Sequence, residues 1–337
     1  MGFDKLKTIA DLASFICINK AELLGIKPEE NYRVFERPKP GTDKKRTIEY
    51  PVGTLKNVLD RIADQLQYMY CDLKTDAAFG YVRSMATDPD RRNILTNAQK
   101  HLGMNYLVNM DFDSFFYQIE NEKLKNIFGD YQFFSFEPET EALMCKLVTY
   151  KGRLPMGSPT SPVLSNFATI NFDNELLRWS RCEHITYTRY VDDLSFSSTQ
   201  AITTKHFDEI IAIMRSHRFV INPTKTKWYG KNDAKEITGL MVGNTVSIPD
   251  EFIADFKKSI DNLHQVCSSV HSLPDYHVFD WIDKMKQVLR GRLNFVGGIY
   301  GKHHPLYQQL SEQLNRAEDV SMEEESISWR YIGYEVH

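Results

Sequence analysis

The chain is 337 residues long, 42% hydrophobic and 26% charged, with a net charge of −4. These are the proportions of an ordinary soluble protein, with material for one elaborate domain or two to three subdomains. They exclude a membrane-spanning stretch; the early charges Asp4, Lys5 and Lys7 break any signal-peptide pattern, and five scattered cysteines without Cys-x-x-Cys argue against a disulfide or zinc framework, so a cytoplasmic chain with reduced thiols is expected.

Residues 3–27 read as one or two short amphipathic helices, followed by strands over 31–37 and 46–50 joined by a basic loop carrying Lys39, Lys44 and Lys45. Leu55, Val58, Leu59, Ile62, Leu66 and Met69 recur every three to four residues and predict a helix over 54–70. A polar stretch near 84–93 leads into another helix, which Gly103 suits as a stop. A strand over 105–112, helices over 121–128 and 138–149, and one helix from Ser161 to about Ser180 come next. Two runs rich in β-branched and aromatic residues then flank Tyr190-Val191-Asp192-Asp193, the pattern of a hairpin. A helix over 203–217 carries Phe207, Ile210, Ile211 and Met214 on one face. Residues 225–248 read as short strands and 250–315 as a helical subdomain; the end reads as partly disordered until a terminal strand over 327–332.

The net charge hides an asymmetry. Residues 312–337 hold seven acids against Arg316 and Arg330, a balance of −5 that leaves +1 for residues 1–311. Within that body, residues 215–231 and 284–311 each hold five bases and no acid, and residues 37–46 hold five bases against Asp43. Any one such tract is compatible with a solvated face; three in one chain form the expected footprint of phosphate contacts.

Asp192 and Asp193 stand side by side at a tight turn. Adjacent carboxylates repel, and a hard divalent cation such as Mg²⁺ relieves that repulsion while leaving room for substrate phosphates. Upstream, the apolar strand Tyr106–Asp111 closes on a third carboxylate. Between them, Arg153-Leu154-Pro155-Met156-Gly157-Ser158-Pro159 is a rigid turn that opens a helix.

That order, strand-Asp, then Pro-Gly-Ser turn and helix, then Tyr-Val-Asp-Asp hairpin, resembles the palm of a reverse transcriptase, over roughly residues 30–300. Asn97-Ala98-Gln99-Lys100-His101 matches an Asn-Ala-x-x-His signature of the retron enzymes, and Ile237-Thr238-Gly239-Leu240 resembles their Val-Thr-Gly-Leu element. The resemblance implies an α+β right-hand polymerase fold: an N-terminal helical segment (1–30), fingers (31–104), a palm of antiparallel sheet on helices (105–249, with a fingers insertion about 121–155), a helical thumb (250–315) and an acidic tail (316–337). It implies an RNA-directed DNA polymerase that copies a structured noncoding RNA into a short DNA branched from that RNA, within an anti-phage system that includes an effector protein.

It also implies roles for individual residues. Two Mg²⁺ ions would be held by Asp111, Asp192, Asp193 and the carbonyl of Phe112. Arg46, Phe116, Met156, Gly157 and Lys225 would surround the incoming dNTP. Phe116 would exclude the ribose 2′-hydroxyl, Arg46 would grip the triphosphate, with Lys39, Lys44 or Lys45 as a second cation, and Lys225 would lie near the leaving phosphate. Ser158, Tyr190, Val191, Lys284, Arg290 and Arg292 would contact template and primer, and Asn97 and His101 would serve RNA recognition. One departure stands out: Met156 replaces the usual glutamine, and a thioether cannot donate the hydrogen bond of an amide. The alternative readings are another bacterial defence-associated reverse transcriptase, or an RNA-binding palm that acts as scaffold for an effector.

Overall fold

A computed structural model describes residues 2–38, 43, 45–84, 88–269 and 276–331. Lys39, Lys44 and Ile332, which carried expectations above, lie outside the described residues. The chain divides into two units, Met1–Thr238 and Gly239–His337.

The first unit opens with helices α1 (Ile9–Phe15) and α2 (Lys20–Gly25) and an antiparallel hairpin of β1 (Tyr32–Pro38) and β2 (Lys45–Pro51). Most of β1 is exposed, so burial contributes little to this hairpin; its base is what holds it. The Glu49 amide donates to the Met156 carbonyl (2.7 Å), and the buried Glu49 carboxylate accepts two bonds from the Arg153 guanidinium (2.7 and 2.8 Å). Arg153 also lies over the Tyr117 ring, at 3.6 Å. Helix α3 (Gly53–Leu73) buries the apolar stripe its spacing predicts, with Leu55, Val58, Leu59, Ile62 and Leu66 all in the core. The short α4 (Ile94–Gln99) starts at Asn93, whose side chain and that of Thr96 cap each other's backbone amides.

Strand β3 (Tyr106–Asp111) is followed by α5 (Asn121–Phe128), α6 (Pro138–Val148), α7 (Ser161–Ala168), α8 (Ile170–Cys182), β4 (Thr186–Tyr190), β5 (Asp193–Ser198), α9 (Thr204–Ser216), β6 (Lys227–Tyr229) and β7 (Lys235–Ile237). Strands β4, β5, β3 and β6 form, in that order, an antiparallel sheet, with Val108, Met110, Leu194 and Phe196 buried in the core.

The single helix expected from Ser161 to Ser180 is two helices. The break falls at Thr169, whose hydroxyl donates to the carbonyls of Ser165 (3.0 Å) and Asn166 (3.1 Å). A hydroxyl that bonds back to the preceding turn competes with the helical ladder, and neither proline nor glycine is needed.

In the second unit, β8 (Leu240–Val242) pairs with β9 (Val246–Ser247), and α10 (Asp250–Ser269), α11 (Tyr276–Tyr300) and α12 (Pro305–Tyr331) pack on one another. The end of the chain departs from expectation. Helix α12 continues to Tyr331, so residues 327–331 are helical, and the strand predicted there is not formed. Leu310, Leu314 and Ala317 recur at helical spacing and are buried, which carries the helix into the acidic region. Among the described residues, no helix is long and apolar enough to cross a membrane.

Candidate active site

The three aspartates separated in sequence meet at one end of the four-stranded sheet. Asp111, the last residue of β3, is the register partner of Asp193, the first of β5. Tyr190 pairs with Asp193 across the hairpin, so Val191 and Asp192 form its two-residue loop. Val191 sits at φ +62°, a left-handed conformation that a β-branched residue adopts only when its surroundings impose it. The loop is tied down: the Phe112 amide donates to the Asp192 carbonyl (3.1 Å), and the Asn222 amide to that of Asp111 (2.8 Å).

Behind the loop lies a buried ion pair. Arg189 Nη2 donates to Asp173 Oδ2 (2.7 Å) and Nε to Oδ1 (2.9 Å), and both side chains are fully buried. Tyr187 and Thr75 hydroxyls also donate to Asp173, and Arg189 Nη1 donates to the Val191 carbonyl (3.1 Å). Burial alone would lower the pKa of the guanidinium; the Asp173 carboxylate outweighs that and holds it raised.

Asp192 borders a cavity of about 530 Å³, whose lining also includes Arg46, Tyr81, Phe116, Met156, Gly157, Ser158, Val191 and Lys225. Gly157 (φ +128°) is required by crowding within the protein itself: a Cβ there would come within 2.9 Å of the Glu49 carbonyl and 3.0 Å of Ile48 Cγ2. The glycine therefore lets β2 approach the turn.

The electrostatics set the aspartates apart from the rest of the sheet. Burial, and then the charge of Asp111, raise the pKa of Asp192. Burial, then Asp192 and Asp111, push Asp193 up to about 7. Lys225 Nζ donates to Asp111 Oδ1 at 2.6 Å. Partial burial pulls this ammonium's pKa down, but the bond to Asp111 outweighs it and leaves it raised. Among the described residues, no three His, Cys, Asp or Glu side chains stand in a metal-holding arrangement, so the expected three-carboxylate metal site is not formed as such here. In chemistry the donor set fits: three carboxylates suit a hard divalent cation, which would relieve the strain on Asp192 and Asp193.

Other expected site residues lie elsewhere. Asn97 and His101 are buried, at 1% and 2% exposure, and so present no surface to RNA. His101 hydrogen-bonds through Nδ1 with Ser197 Oγ (2.6 Å) and through Nε2 with Thr188 Oγ1 (2.7 Å), fastening the end of the α4 region to β5 and β4. Ser158 is also buried, its hydroxyl 3.0 Å from that of Thr160, although it borders the cavity. In the second unit, Lys284 is exposed, whereas Arg290 donates to Glu318 and to Asn315 (3.0 Å), and Arg292 donates to Asp255 (2.8 Å) and Ser259 (3.2 Å). These two arginines join the helices of their own bundle through ion pairs that leave both side chains partly exposed.

Two features escaped the sequence reading: the Arg189–Asp173 pair, whose members are divided between α8 and β4, and Tyr81. Tyr81 sits at φ +56° and stacks on Phe116, with ring centroids 6.3 Å apart at 26°. A left-handed conformation costs a non-glycine residue about 1–3 kcal/mol and is kept only where the surrounding structure enforces it. The Phe79-Gly80-Tyr81 step was the available signal.

Comparison with known proteins matches this geometry. The family model described as reverse transcriptase (RNA-dependent DNA polymerase) matches residues 37–243, and the chain belongs to that family. It is accordingly an RNA-directed DNA polymerase with the right-hand fold of such enzymes. Within the family it is similar to the retron enzymes. Retron Ec86 reverse transcriptase of Escherichia coli is 26% identical over 90% of this chain and 88% of its own, and the Escherichia coli retron Ec83 reverse transcriptase is 29% identical over 66% and 72%. Among solved structures, telomerase from Candida albicans aligns with a TM-score of 0.46 at 11% identity, covering 86% of this chain, which spans 59% of that one.

Proposed function

We propose that this protein copies a structured noncoding RNA into a short DNA by two-metal nucleotidyl transfer, leaving the DNA joined to that RNA through a branch. The carrying observation is that Asp111 pairs with Asp193 across the sheet and accepts from Lys225, while Asp192 beside them borders a cavity that Arg46, Phe116 and Lys225 also line. In the reaction, the primer 3′-hydroxyl oxygen bonds to the α-phosphorus of a dNTP, the bond from that phosphorus to the bridging oxygen breaks, and pyrophosphate leaves. Two Mg²⁺ ions bound by the three carboxylates and the Phe112 carbonyl would lower the pKa of the hydroxyl and neutralise the leaving group. Arg46 offers a planar fork to phosphate oxygens, and Lys225 brings an ammonium to the same cavity. Phe116 closes the sugar side, where a 2′-hydroxyl would clash.

The likeness to retron enzymes supports the branched product, and with it an anti-phage role beside an effector protein. The exposed Lys284, together with Tyr190 and Val191 at the hairpin, provides the template and primer contacts in this reading. The test is extension of a primed RNA template with Mg²⁺ and dNTPs, followed by sequencing of the nucleic acid that co-purifies with the chain. Extension, and a branched RNA–DNA hybrid, are expected. Absence of extension removes the polymerase reading, and linear host RNA alone removes the branched product.

A further inference from the structure

The cavity contains an aromatic residue to which neither motif nor core packing gives a role. Tyr81 borders the cavity and is 42% exposed, yet its backbone is held by several contacts. Ala78 bridges to Arg189, and the Phe79 amide donates to the Arg189 carbonyl (2.8 Å), which lays this segment along the strand that leads into the aspartate loop. Asn166 Nδ2 donates to the Gly80 carbonyl (3.1 Å), and Gln67 Nε2 to that of Tyr81 (3.1 Å). Gly80 lies so close to the loop that a Cβ would approach Val191 N and Cγ2 to 2.6 Å. Tyr81 is therefore anchored to the same loop that positions Asp192.

A solvent-facing tyrosine needs none of this. A core tyrosine would be buried. A ring held in a left-handed backbone conformation, open to a cavity and stacked on a second ring, has the properties of a wall that contacts a ligand. The second ring is Phe116. Met156, which lines the same cavity, brings a thioether and no donor, so discrimination at the sugar falls to shape.

We propose that Tyr81 is a second sugar-selecting residue: its ring braces Phe116, so that the pair, rather than Phe116 alone, rejects ribonucleotides. This deepens the polymerase reading and rests on it. Without the brace, the Phe116 ring gains room to yield before a 2′-hydroxyl. Discrimination by apolar shape spans roughly 10- to 200-fold, and loss of one wall should remove much of it.

The test compares single-nucleotide incorporation of a dNTP and its rNTP on a primed RNA template by wild type, Tyr81→Gly and Tyr81→Phe. Glycine accepts the left-handed backbone without strain, so the variant is suited to fold; Tyr81→Asn, which also tolerates that region, repeats the measurement. The dNTP-to-rNTP ratio of kcat/KM should fall by roughly tenfold in Tyr81→Gly and Tyr81→Asn, mainly through a lower KM for the rNTP, and stay within about twofold of wild type in Tyr81→Phe. An unchanged ratio in the ringless variants, with wild type discriminating normally, overturns this proposal and leaves the polymerase reading intact. An equal fall in Tyr81→Phe overturns it too, since the hydroxyl and not the ring would then select. Wild type that incorporates neither nucleotide overturns the polymerase reading and this proposal with it.

Discussion

The first unit holds two groups of acidic side chains, one on α8 and one at the end of the four-stranded sheet, and they are built on opposite principles. Asp173, at the back, is buried with every oxygen answered: Arg189 approaches as a fork, and the Tyr187 and Thr75 hydroxyls complete its shell. Asp192 and Asp193, at the front, have their ionisation opposed by partial burial and by neighbouring carboxylates, Asp111 for Asp192 and both Asp192 and Asp111 for Asp193, and Asp111 has one half-exposed lysine. A fully partnered buried charge leaves no oxygen free for a ligand, whereas carboxylates in conflict with one another form an arrangement that a cation would relieve. The two groups are linked, because Arg189 also donates to the carbonyl of Val191 in the loop that presents Asp192.

Substitution separates the two principles. Asp192→Asn with Asp193→Asn should lower primer extension by at least about 10⁴-fold, since several kcal/mol of transition-state stabilisation depend on the ions they would hold. The thermal midpoint should not fall, because the change removes charges whose neighbours oppose them. A variant that unfolds instead would erase the distinction between front and back. Arg189→Met should do the reverse, costing about 3–5 kcal/mol of stability in denaturant titrations by leaving Asp173 buried and unpaired. Adding Asp173→Leu should recover part of that loss, because the orphaned charge goes with it. If Arg189→Met alone is neutral, the pair is not the scaffold described here.

This division explains which parts of the molecule were legible in the sequence. The α3 stripe, the strand ending on Asp111 and the Tyr-Val-Asp-Asp hairpin are local patterns, and local patterns of period 2 or 3.6 survive folding. The Arg189–Asp173 pair joins a helix to a strand, and no periodicity marks it. Tyr81 is distinguished by a backbone angle, which residue identity does not encode. The break at Thr169 comes from a hydroxyl bonding back along the chain, an option every helical threonine has and few express so sharply. Arg290 and Arg292 lie in a tract that holds no acid, and the acids that engage them, Glu318 and Asp255, come from other helices, which a local reading does not reach.

Lys225 tests the border between the two principles, since it is an ion pair at the cavity rim. Its side chain is half exposed, so the pair with Asp111 contributes at most about 1 kcal/mol to stability. Lys225→Met should therefore leave the denaturation midpoint nearly unchanged. Extension should fall by roughly 30-fold, about 2 kcal/mol, through loss of a cation beside the leaving phosphate. A stability loss larger than the activity loss would move Lys225 into the scaffold.

The smallest expected effect concerns His101, which sequence resemblance assigned to RNA and the structure assigns to the interior. Burial pushes its pKa from 6.5 down to about 3. The unfolded chain therefore takes up a proton near pH 6.5 that the folded chain refuses until about pH 3. Within that window the unfolded state binds more protons, so stability must fall as the pH falls. The slope approaches about 1.4 kcal/mol per pH unit below 6.5, and by pH 5.5 this residue alone should have withdrawn about 1.4 kcal/mol. His101→Gln keeps a side chain able to donate and accept toward Ser197 and Thr188 but does not titrate. Denaturant titrations from pH 8 to 5.5 should thus show a shallower decline for His101→Gln than for wild type. Equal declines would mean that the folded protein takes up this proton as readily as the unfolded chain does, and that burial does not set the titration of His101.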